Sequence, residues 1–188
     1  RFAAVTNVRE PGMAKGAQSR GFLTRGFLTG ESSAEEYAAQ IDGAQYSGFN
    51  LLLSDGNTLV YCSNRDGNPR PLAPGIYGLS NHLLDSPWPK LVAARERFAK
   101  ALHRLPDESA FFDLLADQAI VADENLPSTG VPIEWERLLS GIFVKSESYG
   151  TRASTLVWQA ADGKITVHEN SFGSNGQPLQ SSVISTSE

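Results

Sequence analysis

The side-chain amide of Asn81 is the group that the sequence presents most clearly for chemistry. An apolar run at residues 76–79 ends at Ser80 and Asn81, and a proline-rich loop around Trp88 then leads into an amphipathic helix. A strand that ends in this way holds a side chain rigidly beside an accessible loop, where many sites lie. The alternative is that Asn81 caps a turn while Trp88 fills the core, and this stretch by itself favours that alternative.

The other reactive side chains form no recognisable catalytic or metal-binding pattern. The three histidines, His82, His103 and His168, are scattered, so neither a metal site nor a Ser-His-Asp triad has support. His168 alternates with apolar residues on a predicted strand and is expected to face outward. Cys62 lies within another predicted strand and is expected to be a small buried residue, not a nucleophile. We expect no cofactor and no metal ion.

Composition excludes several classes of partner. The chain has 188 residues, of which 40% are hydrophobic and 20% charged, with a net charge of −5. These values are typical of a globular domain with a real core. No basic block indicates nucleic-acid binding, and the apolar runs are too short to span a membrane. One cysteine cannot form an internal disulfide, which favours a reducing compartment, and we expect a cytoplasmic protein.

Local signals predict hairpins and helices around Asn81. Asp55-Gly56 and Asp162-Gly163 each lie between strand-like runs, a pattern typical of β-hairpins. Ser33 lies three residues before Glu36, which predicts a capping box at a helix start. Residues 72–80 are predicted as a strand region broken at Pro74, and the residues after Pro89 as a helix. Hairpins with few helices and no regular alternation indicate an α+β fold with antiparallel sheets.

The two ends of the chain carry further expectations. The sequence starts inside an apolar, strand-like run at residues 2–8 and without Met. We therefore expect an N-terminal segment upstream of Arg1. Residues 1–172 are predicted to form one domain, and the polar residues 173–188 a loosely ordered tail.

Short phrases along residues 1–172 together resemble one protein family. They are Thr6-Asn7-Val8-Arg9, Ser19-Arg20-Gly21, Gly48-Phe49-Asn50-Leu51, Ser63-Asn64-Arg65, the run from Pro74 to Asn81, Pro87-Trp88-Pro89-Lys90, and the run from Gly150 to Thr155. The set is similar to the NRDE-motif family, also called the transport-and-Golgi-organisation 2 family. The family's own Asn-Arg-Asp-Glu motif, which lies near the N-terminus, is absent. Residues 64–66 read Asn-Arg-Asp, but Gly67 follows them in place of Glu and they lie too far along the chain.

The resemblance implies the fold and chemistry of N-terminal-nucleophile hydrolases, close to the choloylglycine hydrolase and penicillin V acylase group. Their fold is a four-layer αββα sandwich. Their terminal cysteine attacks an amide while its own α-amino group serves as base, so no histidine is needed. In this chain, that nucleophile and an early Arg–Asp pair would lie upstream of Arg1.

The resemblance also assigns three site residues. Asn7 and Asn81 correspond to two asparagines at strand ends, and Arg152 to a late arginine. An asparagine amide can donate to the oxyanion that forms at an attacked carbonyl, and a guanidinium beside a thiol favours the thiolate. The alternatives are turn caps for both asparagines and a structural ion pair for Arg152. The geometric prediction is that Asn7 and Asn81 end neighbouring strands with their amides converging near Arg152.

Two functions follow from the resemblance. The first is a thiol-type amidohydrolase that acts on a non-peptide C–N bond of a small molecule. The second is a non-enzymatic protein on the same fold that handles an apolar ligand such as haem or a lipid. For that role Trp88, Phe98 and Trp135 would line an apolar pocket, and their alternative is ordinary core packing.

Overall fold

The structure, a computed structural model, describes residues 1–186 and confirms an α+β fold with antiparallel sheets. Contacts along the chain divide it into two compact units, Arg1–Pro87 and Trp88–Glu188. Within the described residues, each unit contains one sheet, and each sheet contains one of the two predicted Asp-Gly hairpins. Local turn chemistry therefore sets one strand pairing in each sheet.

The first unit is built on a four-stranded sheet whose strand order follows the chain. Its strands are β1 (Phe2–Asn7), β2 (Phe49–Ser54), β3 (Leu59–Ser63) and β4 (Arg70–Pro71). The predicted hairpin at Asp55-Gly56 is confirmed, with Leu52 opposite Tyr61. Gly56 has a φ of +99°, which glycine adopts without the steric cost that a side chain would add.

Two helices cover one face of this sheet. They are α1 (Gly21–Thr29) and α2 (Ala34–Ala39), and the predicted capping box between Ser33 and Glu36 is present at the start of α2. The sequence Gly-Phe-Leu-Thr occurs twice, at residues 21–24 and 26–29, and both copies lie in the single helix α1, which buries Leu23 and Phe27. These helices enclose a core with the sheet residues Phe49, Leu51, Leu53, Val60 and Cys62.

The second unit is built on a three-stranded sheet in chain order. Its elements are α3 (Pro89–Leu102), α4 (Ser109–Leu115), α5 (Ile133–Leu138), β5 (Ala153–Gln159), β6 (Ile165–Phe172) and β7 (Pro178–Ser185). The Phe111 ring lies edge-on between Phe98, 5.2 Å away, and Trp158, 5.0 Å away, centroid to centroid. This aromatic row joins α3, α4 and β5 into the core of the unit.

Two predictions from the sequence are wrong. No strand covers residues 72–80, where one was expected. The preceding strand β4 ends at Pro71, one more hydrogen bond to β3 follows from the N–H of Leu72 to the carbonyl of Leu59 at 2.8 Å, and Pro74-Gly75 then turns the chain away. The polar segment expected to be a loose tail contains β7, which pairs with β6. Ladder hydrogen bonds do not require apolar side chains, so a polar strand pairs as readily. Ser187 and Glu188, the last residues of that segment, lie outside the described residues.

Across residues 1–186, no helix combines the length and the apolar character that a membrane crossing requires. Nor do three or more His, Cys, Asp or Glu side chains of this part of the chain converge in a way that could hold a metal ion.

The carboxylate of Asp55 connects the β2–β3 turn to the start of α2. It accepts backbone hydrogen bonds from Ala34 at 2.9 Å, Asn57 at 3.0 Å and Thr58 at 3.1 Å. These three donors stabilise the charged form, led by Ala34, and lower the pKa of Asp55 to about 2.

We expect Asp55→Ala to lower the free energy of unfolding by roughly 1 kcal/mol at pH 7, the usual size of a lost helix cap. The folded-state pKa lies below the ordinary value of 3.8, so this contribution is complete above about pH 4 and is lost as the pH falls toward 2. Urea unfolding at pH 7 and near pH 2 measures the difference between wild type and variant.

The matched control is Asp162→Ala in the other Asp-Gly hairpin, where the carboxylate accepts a backbone hydrogen bond from Lys164 at 2.9 Å. We expect a smaller loss there, because no helix start depends on it. Equal losses in both variants, or a difference for Asp55→Ala that does not narrow at low pH, would contradict the assignment.

Candidate functional site

Polar side chains gather at one edge of the first sheet. Because neighbouring strands run antiparallel, the end of β1, the start of β2 and the end of β3 meet there. Thr6 lies opposite Asn50, which in turn lies opposite Ser63. Asn7, the last residue of β1, lies opposite Phe49. The candidate site is this edge together with the chain segment that crosses it.

Asn50 is the polar centre of this edge and is fully buried. Its Oδ1 accepts a hydrogen bond from the Tyr61 hydroxyl at 2.8 Å. Its Nδ2 donates to the backbone carbonyl of His82 at 2.8 Å and to Thr6 Oγ1 at 3.2 Å. Both donor hydrogens and the acceptor of the amide are therefore used, as a buried amide requires.

The segment that crosses the edge comprises residues 78–86. Thr6 Oγ1 donates to the carbonyl of Ser80 at 2.9 Å, and the N–H of Leu84 donates to the Tyr61 hydroxyl at 3.3 Å. Asp85 closes the segment, because its N–H donates to Gly78 O at 2.8 Å and its carboxylate accepts from Gly78 N at 2.7 Å. Side chains of the sheet thus hold this irregular segment in place.

Asn7 and Asn81 are in contact at this edge. Asn81 Nδ2 donates to the backbone carbonyl of Asn7 at 3.2 Å, and the carbonyl of Asn81 accepts from the N–H of Arg9 at 2.8 Å. The side chain of Asn7 is exposed at the end of β1. Asn81, however, lies within the 78–86 segment and does not end a strand, which corrects that part of the prediction.

Arg152 lies in the second unit, directly before β5, and is exposed. Its backbone carbonyl accepts a hydrogen bond from the N–H of Phe172 at 2.8 Å, which extends the β5–β6 ladder by one residue. Its predicted convergence with Asn7 and Asn81 stays a prediction, as does the alternative of a structural ion pair.

A charged cluster beside the edge was not predicted from the sequence. Glu10 accepts two hydrogen bonds from Arg65, at 2.7 and 2.8 Å, and one from the N–H of Gly48 at 2.9 Å. Arg20 donates to the carbonyl of Gly48 at 2.8 Å. The hydrogen bonds from Arg65 are the main reason that the pKa of Glu10 is lowered. A Cβ at position 48 would lie 2.4 Å from Glu10 Oε1, which explains the glycine.

Asn64 is a second structural amide that sequence reasoning missed. Its Oδ1 accepts from the N–H of Phe49 at 2.9 Å, and its Nδ2 donates to the carbonyls of Gly43 at 2.9 Å and Tyr46 at 3.1 Å. It therefore fixes the start of β2 relative to the end of β3. Both Asn50 and Asn64 lie in phrases that carry the family resemblance. Their presence there was the one signal in the sequence that could have identified them as structural amides.

Cys62 lies on the helix-covered face of the sheet, opposite Leu51, and is 6% exposed. Burial raises the pKa of the thiol to about 11. The prediction that Cys62 is a small buried residue is confirmed, and a protonated thiol in this position is a poor nucleophile.

The first prediction at this site concerns Tyr61→Phe. The variant leaves Asn50 Oδ1 buried without its donor and removes the acceptor of the Leu84 N–H, so we expect a loss of about 1–3 kcal/mol in the free energy of unfolding. Limited proteolysis should also cut within residues 78–86 more rapidly.

The matched control is Tyr46→Phe, since the Tyr46 hydroxyl makes an exposed hydrogen bond to Gln18 Oε1 at 3.0 Å. We expect a change within about 0.5 kcal/mol there, as is usual for surface groups. If Tyr61→Phe were no more destabilising than this control, the buried amide would not be the support of the 78–86 segment.

The second prediction concerns Cys62. At pH 8 a thiol with a pKa of about 11 is ionised in on the order of one molecule in a thousand, so the folded chain should resist Ellman's reagent. Urea should release one reactive thiol per chain. Rapid stoichiometric labelling of the folded chain would contradict the burial and leave Cys62 open as a nucleophile.

Comparison with known proteins agrees with the resemblance seen in the sequence. Residues 1–174 match the family described as Transport and Golgi organisation 2. A Bos taurus protein named "Transport and Golgi organization protein 2 homolog" is 35% identical over 191 residues, and a Homo sapiens protein of the same name is 34% identical over 190. The Mus musculus "Transport and Golgi organization 2 homolog" is 31% identical over 192 residues. Each match covers 92% of this chain and 68% of the relative. The chain belongs to the Transport and Golgi organisation 2 family.

Proposed function

We propose that the polar edge of the first sheet binds the scissile carbonyl in an amidohydrolase that cleaves a non-peptide C–N bond with a cysteine thiolate. The observation that carries the proposal is the contact between Asn7 and Asn81. An exposed amide ends β1, the first strand of the sheet, and the backbone beneath it is held by a second amide at 3.2 Å. A rigid, accessible donor of this kind is what a developing oxyanion requires.

The two asparagines take different roles in this scheme. Asn7 donates from its side-chain amide to the carbonyl oxygen as negative charge develops on it. Asn81 is a positioning residue, because one hydrogen of its amide is already committed to the backbone of Asn7. Arg152 is proposed to favour the thiolate by its positive charge.

The nucleophile in this scheme is not Cys62, whose thiol is buried and has a raised pKa. A thiol mechanism therefore takes its cysteine from outside these 188 residues. We propose a terminal cysteine whose α-amino group serves as base, on a four-layer αββα sandwich. The cytoplasm is the proposed compartment, since a reducing environment preserves a reactive thiol.

Handling of haem or a lipid remains the alternative, with less support. Of the aromatic residues proposed to line a pocket for it, Phe98 packs against Phe111 in the core of the second unit. Trp135 is 41% exposed and lies against Tyr149, with ring centroids 5.5 Å apart. The observed contacts of these residues favour ordinary packing over a shared ligand cavity.

The test uses the intact protein with its terminal cysteine and a panel of N-acyl p-nitroanilides. We expect Asn7→Ala to lower kcat about 10²–10³-fold with little change in KM, because the lost hydrogen bond acts mainly in the transition state. Cys→Ser at the terminus should abolish turnover. Asn57→Ala, in the exposed β2–β3 turn, is the matched control and should leave kcat unchanged.

The proposal also predicts that residues 1–188 alone do not hydrolyse these anilides. Wild-type rates in Asn7→Ala or in the terminal Cys→Ser variant would refute the scheme. So would anilide turnover by the 188-residue chain that persists after alkylation of its thiol.

A further inference from the structure

A serine, a histidine and a carboxylate lie in one hydrogen-bonded row in the second unit. His168 Nε2 is 3.2 Å from Ser181 Oγ, and His168 Nδ1 is 2.8 Å from Glu108 Oε2. The ring of Phe112 meets the imidazole edge-on at 4.6 Å between centroids. The sequence predicts an outward-facing His168 and gives no support to a Ser-His-Asp triad, but the ring packs against α4 and joins the other two groups.

The topology explains why sequence spacing did not reveal this row. In the β6–β7 pairing His168 lies opposite Val183, and Ser181 lies two residues from Val183 on the same face. The serine and the histidine are thus diagonal neighbours across the strands. Glu108 is the residue before α4, 60 positions away in the chain, and it reaches the imidazole from the helix that covers β5.

We propose that Ser181, His168 and Glu108 form a serine-type acyl-transfer centre, with small esters of apolar acids as its substrates. The proposal does not depend on the proposed amidohydrolase, which uses a thiol and residues of the first unit. The order hydroxyl, imidazole and carboxylate is the arrangement that activates a serine, and it is recognised by geometry and not by chain order.

The proposed reaction is hydrolysis of an ester, with water as the second reactant. Ser181 Oγ attacks the ester carbonyl carbon while its proton passes to His168 Nε2. The C–O bond to the leaving alcohol then breaks, and His168 returns the proton to that oxygen, which leaves an acyl-serine. Water attacks the acyl carbon by the same route, giving its proton to Nε2, and the acid departs as Ser181 recovers its proton.

Glu108 acts as a positioning residue in this sequence. By accepting Nδ1–H it holds the tautomer whose Nε2 lone pair faces Ser181, and it stabilises the imidazolium that forms in each step. The two side chains are 23% and 30% exposed, so the pair is only partly shielded from water. Partial shielding suits a centre of modest rate.

The surroundings of Ser181 define the substrate class. Asn170 lies directly opposite Ser181 in the pairing, at a Cβ separation of about 5 Å, so its amide is the nearest side-chain candidate to donate to the acyl oxygen. Val183, on the same face, is 61% exposed and offers an apolar surface to the acyl chain. Ser181 itself is exposed, which favours small esters with good leaving groups.

The direct test is covalent labelling of the 188-residue chain with a biotinylated fluorophosphonate, followed by peptide mapping. We expect one adduct, on Ser181, and hydrolysis of p-nitrophenyl butyrate that the label removes. Ser181→Ala should abolish both. Ser185→Ala is the matched control, since Ser185 lies on the same strand and face but shares its hydrogen bond with Thr166 Oγ1, at 3.0 Å.

Two further variants separate chemistry from structure. His168→Ala should lower the labelling rate roughly a hundredfold, and imidazole added to the buffer should restore part of it, which a purely structural role would not allow. Glu108→Gln should slow labelling while Glu108→Asp retains more of it. Circular dichroism checks the fold of each variant.

The outcomes are decisive in both directions. An adduct on Ser181 in the wild-type chain supports the proposal, and this result does not depend on whether any variant folds. No adduct, an adduct on another serine, or ester hydrolysis that survives in Ser181→Ala would overturn it. Iodoacetamide should leave the ester activity unchanged, so failure here is distinguishable from failure of the thiol scheme.

Discussion

The buried amide of Asn50 is the constraint on which the first unit's functional edge depends. A side-chain amide without exposure to water costs several kcal/mol unless its polar atoms are paired. Asn50 finds its partners in Tyr61, Thr6 and the carbonyl of His82. The last of these belongs to a segment without regular secondary structure, so the need to satisfy the amide also fixes that segment. Asn81 lies in that segment, so its position also depends on the hydrogen bonds of the buried amide.

The parts of the fold that the sequence predicted are those determined within a few residues. The hairpin at Asp55-Gly56 and the capping box at Ser33 depend on neighbours close in the chain, and both are present. Residues 76–79 resemble a strand in sequence because they are apolar. Yet their neighbour Ser80 pairs its carbonyl with Thr6 Oγ1, more than 70 positions away, in place of a strand partner. No local pattern contains that information.

The same limit applies to the candidate sites. The sequence could nominate Asn7 and Asn81 because family phrases contain them, and the two residues are in contact. It could not separate their roles, since only the hydrogen bond shows that Asn81 is committed to a backbone carbonyl. His168 was misassigned for a related reason. Alternation along β6 gives the face on which a side chain lies, but not whether a helix such as α4 covers that face.

Environment, more than residue type, decides where nucleophilic chemistry can occur in these residues. Cys62 is the better nucleophile by intrinsic chemistry, but burial without a neighbouring base holds its proton in place. Ser181 is the weaker acid by far, yet an imidazole nitrogen lies 3.2 Å from its hydroxyl and a carboxylate orients that ring. An alkoxide need never form free if the proton leaves as the bond to carbon is made. The surroundings of Ser181 therefore allow its hydroxyl to lose a proton during attack, whereas the surroundings of Cys62 keep its thiol protonated.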